Sequence, residues 1–89
     1  MKAKEWMDRV CRLGCIACKK LEMGESPAEI HHIREGRIAR NDFLILPLCP
    51  GHHRQSSRQS IHLAKPALMR ALGVESELDL LAEVIALAG

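Results

Sequence analysis

The sequence predicts one small α+β domain, in which a short β-hairpin and a helix are flanked by one helix before them and two after them. Apolar residues recur at helical spacing near both ends of the chain, and two short apolar segments enclose a basic loop in the middle. No repeat or low-complexity linker divides the 89 residues. We therefore expect a single domain over 1–89, with a core at 9–62 and a helical extension at 63–89.

The N-terminal segment has the pattern of an amphipathic helix over residues 2–13. Trp6 and Val10 lie on one face of such a helix, and Gly14 provides a C-terminal stop. Residues 19–28 are polar and contain glycine and proline, which predicts a loop.

The middle of the chain predicts the hairpin. Residues 29–33 are too few for a helix and form a short strand, and 34–42 form a basic loop. Residues 43–48 form a second strand, which Pro47 restricts to a sheet edge or a strand end. A helix then begins near Pro50, because proline is favoured in a first helical turn.

The C-terminal third predicts two helices, at 66–72 with a stop at Gly73 and at 75–88. In the second helix the main apolar stripe is Leu78, Leu81, Ala82 and Ile85, widened by Leu80, Val84 and Leu87. A helix that is apolar over so much of its circumference needs covering on two sides. It packs either on the other helices or on a second subunit, in a homodimer formed through 75–88.

Composition predicts a metal-stabilised protein of a reducing compartment. With one Trp, one Phe and no Tyr, the core must be aliphatic, and a domain this small often needs a structural metal. The chain shows no signal peptide and no long apolar run. We therefore expect a cytoplasmic protein with metal-bound thiolates rather than disulfides, and no membrane partner.

Two Cys/His pairs have the spacing of zinc ligands. Cys15 and Cys18 form one pair, and Cys49 and His52 form the other, far enough along the chain to enclose the hairpin. Each pair can place two ligands on one ion, which predicts a structural Zn²⁺ that clamps the hairpin to the following helix. The fourth cysteine, Cys11, is expected to be a buried thiol without a metal role.

Four histidines remain outside this predicted zinc site: His31, His32, His53 and His62. Adjacent residues on a strand point to opposite sides, so His31 and His32 need not do the same job. One can bind a metal while the other takes a proton from water. That division suits phosphodiester hydrolysis, in which a divalent metal stabilises charge on the phosphate.

Three segments carry a resemblance to a known family. They are RVCRLGCIAC at 9–18, EIHHIR followed by a glycine at 29–36, and PLCPGHHR at 47–54. In this order and spacing they resemble the HNH nucleases, also named ββα-metal or His-Me finger nucleases. Within that superfamily the sequence is most similar to the phage recombination enhancement function (Ref) nucleases. The resemblance spans 9–54, and the C-terminal helices lie outside it.

The resemblance implies roles for four of the histidines. His32 matches the general base of the family, and His31 and His53 match ligands of a catalytic divalent metal, which is Mg²⁺, Mn²⁺ or Zn²⁺. The family's motif places another His or Asn four residues after His53, where this chain has Ser57. His62 is the replacement, provided that the chain bends back toward the metal.

HNH proteins also have a central asparagine that tethers the loop between the strands. Asn41 is the nearest asparagine and is assigned to that catalytic position, but it lies further before Cys49 than the family's common spacing. Asp42 is the alternative.

Positive charge is concentrated around these motifs. Residues 1–60 carry eleven Lys/Arg against seven Asp/Glu, whereas 61–89 carry two against four. Such a surface can bind DNA phosphates without reading bases, and nothing resembles a recognition helix, so we expect low sequence specificity. The expected DNA-binding residues are Arg34, Arg37, Arg40, Arg54 and Arg58.

Three functions are compatible with these patterns. The favoured one is a metal-dependent DNA endonuclease of phage or prophage origin that acts in recombination or DNA processing. The second is a non-catalytic zinc module that binds nucleic acid or protein, for which His32 would be dispensable. The third is a small subunit that dimerises through 75–88 within a larger assembly.

Overall fold

A computed structural model describes all residues, 1–89. It confirms an α+β chain with one two-stranded antiparallel sheet and four helices. The elements in order are α1 (Ala3–Arg12), α2 (Ile16–Lys20), β1 (Glu29–His32), β2 (Ile45–Leu48), a π-helical turn (Gly51–Gln55), α3 (Lys65–Leu72) and α4 (Glu77–Ala88).

The hairpin lies at the centre of the molecule. Strand β1 pairs antiparallel with β2, so that His31 lies opposite Leu46 and His32 lies opposite Ile45. All four residues of β2 are buried, and α1, α2 and α4 pack on this strand. Pro47 is tolerated there because each strand of a two-stranded sheet has a free edge that needs no ladder donor.

The predicted second strand begins two residues too early. Phe43 and Leu44 belong to the loop, because Asn41 folds it back: its backbone carbonyl accepts from the Leu44 N–H at 3.0 Å. The Trp6 indole Nε1–H donates to the Phe43 carbonyl at 3.1 Å and ties this turn to α1. Strand β2 therefore starts at Ile45.

Two further local expectations need correction. The expected loop at 19–28 starts late, because α2 continues to Lys20. The expected helix near Pro50 is one wide turn, closed by a hydrogen bond from the Ser56 N–H to the Gly51 carbonyl at 3.0 Å.

The two C-terminal helices begin and end within two residues of their predicted bounds. Gly73 adopts the left-handed conformation that ends α3, and the Ser76 hydroxyl caps α4 by accepting from the Asp79 N–H at 3.1 Å. The buried face of α4 differs from the predicted stripe. Leu80, Leu81 and Val84 pack inward, while the exposed apolar residues are Leu78, Ala82, Ile85 and Leu87.

One side of α4 therefore packs on β2 and α1. A second subunit is not needed to bury the inward residues of this helix. None of the helices combines the length and the apolar character needed to cross a membrane.

Cys11 is exposed, so the expectation of a buried thiol is wrong. It lies on the outer face of α1, and its Sγ–H donates to the Ala28 carbonyl at 3.3 Å. Trp6 and Val10 of the same helix are buried and take the inward face instead.

Truncating the buried face of α4 should destabilise the protein far more than truncating its outer face. We expect Leu80→Ala to cost about 2–5 kcal/mol of unfolding free energy, because Leu80 is fully buried and alanine leaves a cavity. The matched control is Leu87→Ala, which removes the same atoms from a residue that is 57% exposed. Urea unfolding of the two variants measures the difference; equal losses would contradict this packing.

Candidate metal centres

Four residues with metal-binding side chains converge between α2 and the π-helical turn; we name Cys15, Cys18, Cys49 and His52 the cysteine cluster. The Cys18 and Cys49 sulfurs lie 3.8 Å apart, and His52 Nδ1 lies 3.4 to 3.7 Å from the three sulfurs. Tetrahedral zinc separates two sulfur ligands by about 3.8 Å and sulfur from nitrogen by about 3.6 Å. The cluster could therefore hold a zinc ion.

The local backbone supports thiolates at this cluster. The Cys18 N–H donates to the Cys15 sulfur at 3.4 Å, and the His52 N–H donates to the Cys49 sulfur at 3.5 Å. A third donor is the Ser26 hydroxyl, which lies 3.4 Å from the Cys18 sulfur. Burial nevertheless raises the pKa of the Cys15 thiol to about 12. A bound cation would favour the thiolate form of Cys15 against this effect of burial.

Three other histidines form a second group, which we name the histidine cluster: His31, His53 and His62. Their metal-binding nitrogens all lie within 4.8 Å of one another. His31 comes from β1 and His53 from the π-helical turn. His62 reaches them because the chain reverses after this turn, with the His62 N–H donating to the His53 carbonyl at 3.1 Å. The structure thus contains the bend that a role for His62 requires.

A carboxylate that the sequence analysis missed holds His53. The Glu29 carboxylate contacts His53 Nδ1 at 2.7 Å and also accepts two hydrogen bonds from the Arg54 guanidinium, at 2.8 and 3.0 Å. Hydrogen bonds from Arg54 and His53 lower the pKa of Glu29 to about 2, so it is ionised at neutral pH. Glu29 lies two residues before His31 on the same strand face, a spacing that could have identified it.

A second missed carboxylate contacts His31. Glu77, in the first turn of α4, is buried and hydrogen-bonds His31 Nε2. Lys65 Nζ contacts the same carboxylate at 2.6 Å and Glu35 at 3.0 Å. Burial alone would lower the pKa of Lys65, but the two carboxylates outweigh it and raise the pKa. No sequence signal links Glu77 to His31, because 46 residues separate them.

His32 stands apart from the histidine cluster and has its own acidic partner. Its Nε2 lies 2.8 Å from an oxygen of Asp42. Asn41 instead accepts from the Phe43 N–H at 2.8 Å and so shapes the loop. Of the two residues expected to tether the loop, Asp42 is the one that contacts His32.

An open cavity of about 420 Å³ joins the histidines to basic residues. Burial, and next the electrostatic effect of His53 and His31, lower the pKa of His62 in this cavity. Two of the five expected DNA-binding arginines, Arg34 and Arg40, line the cavity. Arg37, Arg54 and Arg58 do not. The polar residues that line it are His31, His32, His53, His62, Arg34, Arg40, Lys65 and Glu77.

Comparison with known families covers nearly the whole chain. A family model described as "Recombination enhancement, RecA-dependent nuclease" matches residues 1–83. The chain belongs to this family. The match confirms the resemblance to the Ref nucleases and extends it beyond 9–54 to include Lys65 and Glu77. No curated protein and no solved structure matches the chain.

Membership of this family indicates a recombination-related nuclease. The two clusters are separated in space but adjacent in sequence, since His52 belongs to one and His53 to the other. A single turn of backbone therefore connects them.

Removing one ligand of the cysteine cluster should unfold the domain. We expect the parent protein to hold one zinc tightly, and Cys49→Ser to lose this zinc and most of the folding free energy, because metal binding and folding are linked in so small a domain. Cys11→Ser is the matched control, since Cys11 is exposed and lies outside the cluster. Elemental analysis and thermal unfolding report the outcome. Full stability of Cys49→Ser, or of the parent protein in chelator, would be inconsistent with a structural zinc.

Proposed function

We propose that the chain is an HNH-type, ββα-metal endonuclease that hydrolyses DNA phosphodiester bonds with a divalent metal and low sequence specificity. One observation carries the proposal: a hairpin and the turn after it place His32 and the three-histidine cluster on one basic cavity. A structural zinc site alone would need none of these four side chains.

The histidine cluster would hold the catalytic metal. A metal held by three imidazoles would keep coordination positions open for water and for a phosphate oxygen, as catalytic sites do. A bound Mg²⁺, Mn²⁺ or Zn²⁺ would supply charge stabilisation for the phosphate and the departing oxygen. The residues that would bind it are His31, His53 and His62.

His32 would act as the general base. Its Nε2 faces a carboxylate oxygen of Asp42, which favours the tautomer with the proton on that nitrogen. Nδ1 then carries the lone pair that can accept a proton from the attacking water. Asp42 would orient the ring and stabilise the positive charge that the ring acquires, and Asn41 would hold the loop that carries Asp42.

The cavity rim would bind the DNA backbone. Arg34 and Arg40 line the cavity and belong to the exposed loop between β1 and β2. Arginines that contact phosphates position a strand without reading its sequence. The name of the family adds RecA dependence, and we propose that this chain also cuts DNA that RecA presents.

Replacing His32 tests catalysis separately from binding. We expect His32→Ala to lower cleavage of DNA by about two to four orders of magnitude, the usual range for a lost general base. Zinc content, folding and DNA affinity should stay near those of the parent, because His32 belongs to neither metal cluster. The assay uses supercoiled and single-stranded DNA with RecA, and compares Mg²⁺, Mn²⁺ and no added metal.

Two results would count against the proposal. Cleavage by His32→Ala at the parent rate would remove His32 from the mechanism. A parent protein that binds DNA but never cuts it, with RecA and any of these metals, would favour the non-catalytic zinc module.

Removing the cavity arginines should weaken DNA binding in a salt-dependent way. Each of Arg34→Ala and Arg40→Ala should lower affinity and reduce the slope of log affinity against log salt by about one. Arg70→Ala is the control, because Arg70 is exposed on α3 and does not line the cavity. Fluorescence anisotropy over a range of salt measures both quantities; equal slopes for all three variants would contradict this interface.

A further inference from the structure

Glu77 is a buried carboxylate whose position the helix alone does not explain. Only 2% of the residue is exposed, and a carboxylate so far from water is costly unless it is paired. Its two partners are His31, a member of the histidine cluster, and Lys65. The buried carboxylate is therefore paired at the edge of the histidine cluster.

Other groups already satisfy the N-terminus of α4. The Glu35 carboxylate accepts from the backbone N–H groups of Glu77 and Leu78, at 3.0 and 3.2 Å. The Ser76 hydroxyl accepts from the Asp79 N–H. The Glu77 side chain is thus not required as a cap, and it turns inward to His31 instead.

We propose that Glu77 is a positioning residue for the catalytic metal: it fixes the tautomer and the orientation of the His31 ring. This inference rests on the proposed function of the histidine cluster. A carboxylate on one ring nitrogen holds a proton there and makes the other nitrogen the metal ligand. Because Glu77 contacts Nε2, His31 would offer Nδ1 to a metal.

His53 has the same arrangement, in which a carboxylate contacts one ring nitrogen and leaves the other free. Glu29 contacts Nδ1 of His53, which leaves Nε2 for a metal. Each carboxylate is in turn held by a cation, Arg54 for Glu29 and Lys65 for Glu77. Two of the three histidines thus have an oriented acidic partner.

The inference gives the C-terminal extension a function at the site. Lys65 opens α3 and Glu77 opens α4, and Glu35 from the loop after β1 connects to both. The metal site therefore draws on residues from both sides of position 62. Helix α4 would contribute to metal affinity as well as to core packing.

A pair of isosteric substitutions on α4 tests the role of Glu77. Co²⁺ is titrated into protein that retains its cysteine-bound zinc. We expect Glu77→Gln to weaken Co²⁺ binding at the histidine cluster by 10- to 100-fold, as loss of such an outer partner typically does. The matched control is Glu83→Gln on the same helix, which removes a carboxylate that pairs with Lys20 of α2. It should bind Co²⁺ like the parent.

Nitrogen NMR of the histidine rings shows which nitrogen carries the proton and which binds the metal, and a loss of stability would not change that assignment. In the parent protein with Zn²⁺ at both clusters, His31 should carry its proton on Nε2 and bind the metal through Nδ1. This measurement needs no variant, so it remains decisive if Glu77→Gln fails to fold. Metal bound through Nε2 of His31 would overturn the proposal.

His31→Ala separates this inference from the proposed function. If His31→Ala leaves both cluster affinity and DNA cleavage unchanged, the proposed function itself fails. If His31→Ala abolishes Co²⁺ binding while Glu77→Gln binds Co²⁺ like the parent, the function stands and the positioning role of Glu77 is overturned.

Discussion

The structure depends on the link that the cysteine cluster makes between α2 and the chain that leaves β2. Cys18 and Cys49 are 31 residues apart, and the segment between them contains the whole hairpin. Two strands of four residues are not stable alone in water. The proposed zinc would close this loop and hold β2 under the helices, in a chain whose core contains a single Phe, Tyr or Trp residue, Trp6.

The same link would place the catalytic groups. His52 and His53 are adjacent, and the wide π-helical turn directs one to the cysteines and the other to His31. After the turn the chain folds back, with the Ile61 N–H donating to the His52 carbonyl at 2.8 Å, and this brings His62 into the histidine cluster. A displacement of the zinc site would thus be transmitted to the catalytic site through one turn of backbone.

The fold and both clusters could be predicted from the sequence where the signal is local. The pair Cys15 and Cys18 and the pair Cys49 and His52 each have the spacing of zinc ligands. The hairpin follows from two short apolar segments. The face of α4 could not be predicted, because apolar residues surround the helix and only its neighbours select Leu80. The partners Glu77 and Lys65 were missed for a similar reason: long-range contacts bring them to His31 without any periodic pattern.

The central claim is that the histidine cluster forms only when the cysteine cluster is filled. Its most direct test is a titration of metal-free protein with Co²⁺, followed by absorption. Sulfur-to-cobalt charge-transfer bands report the cysteine cluster, and the bands of nitrogen-bound cobalt report the histidine cluster. We expect the charge-transfer bands to saturate first, at one equivalent, and the second set to appear only afterwards. Filling of the histidine cluster before the cysteine cluster, or no second site at any concentration, would contradict it.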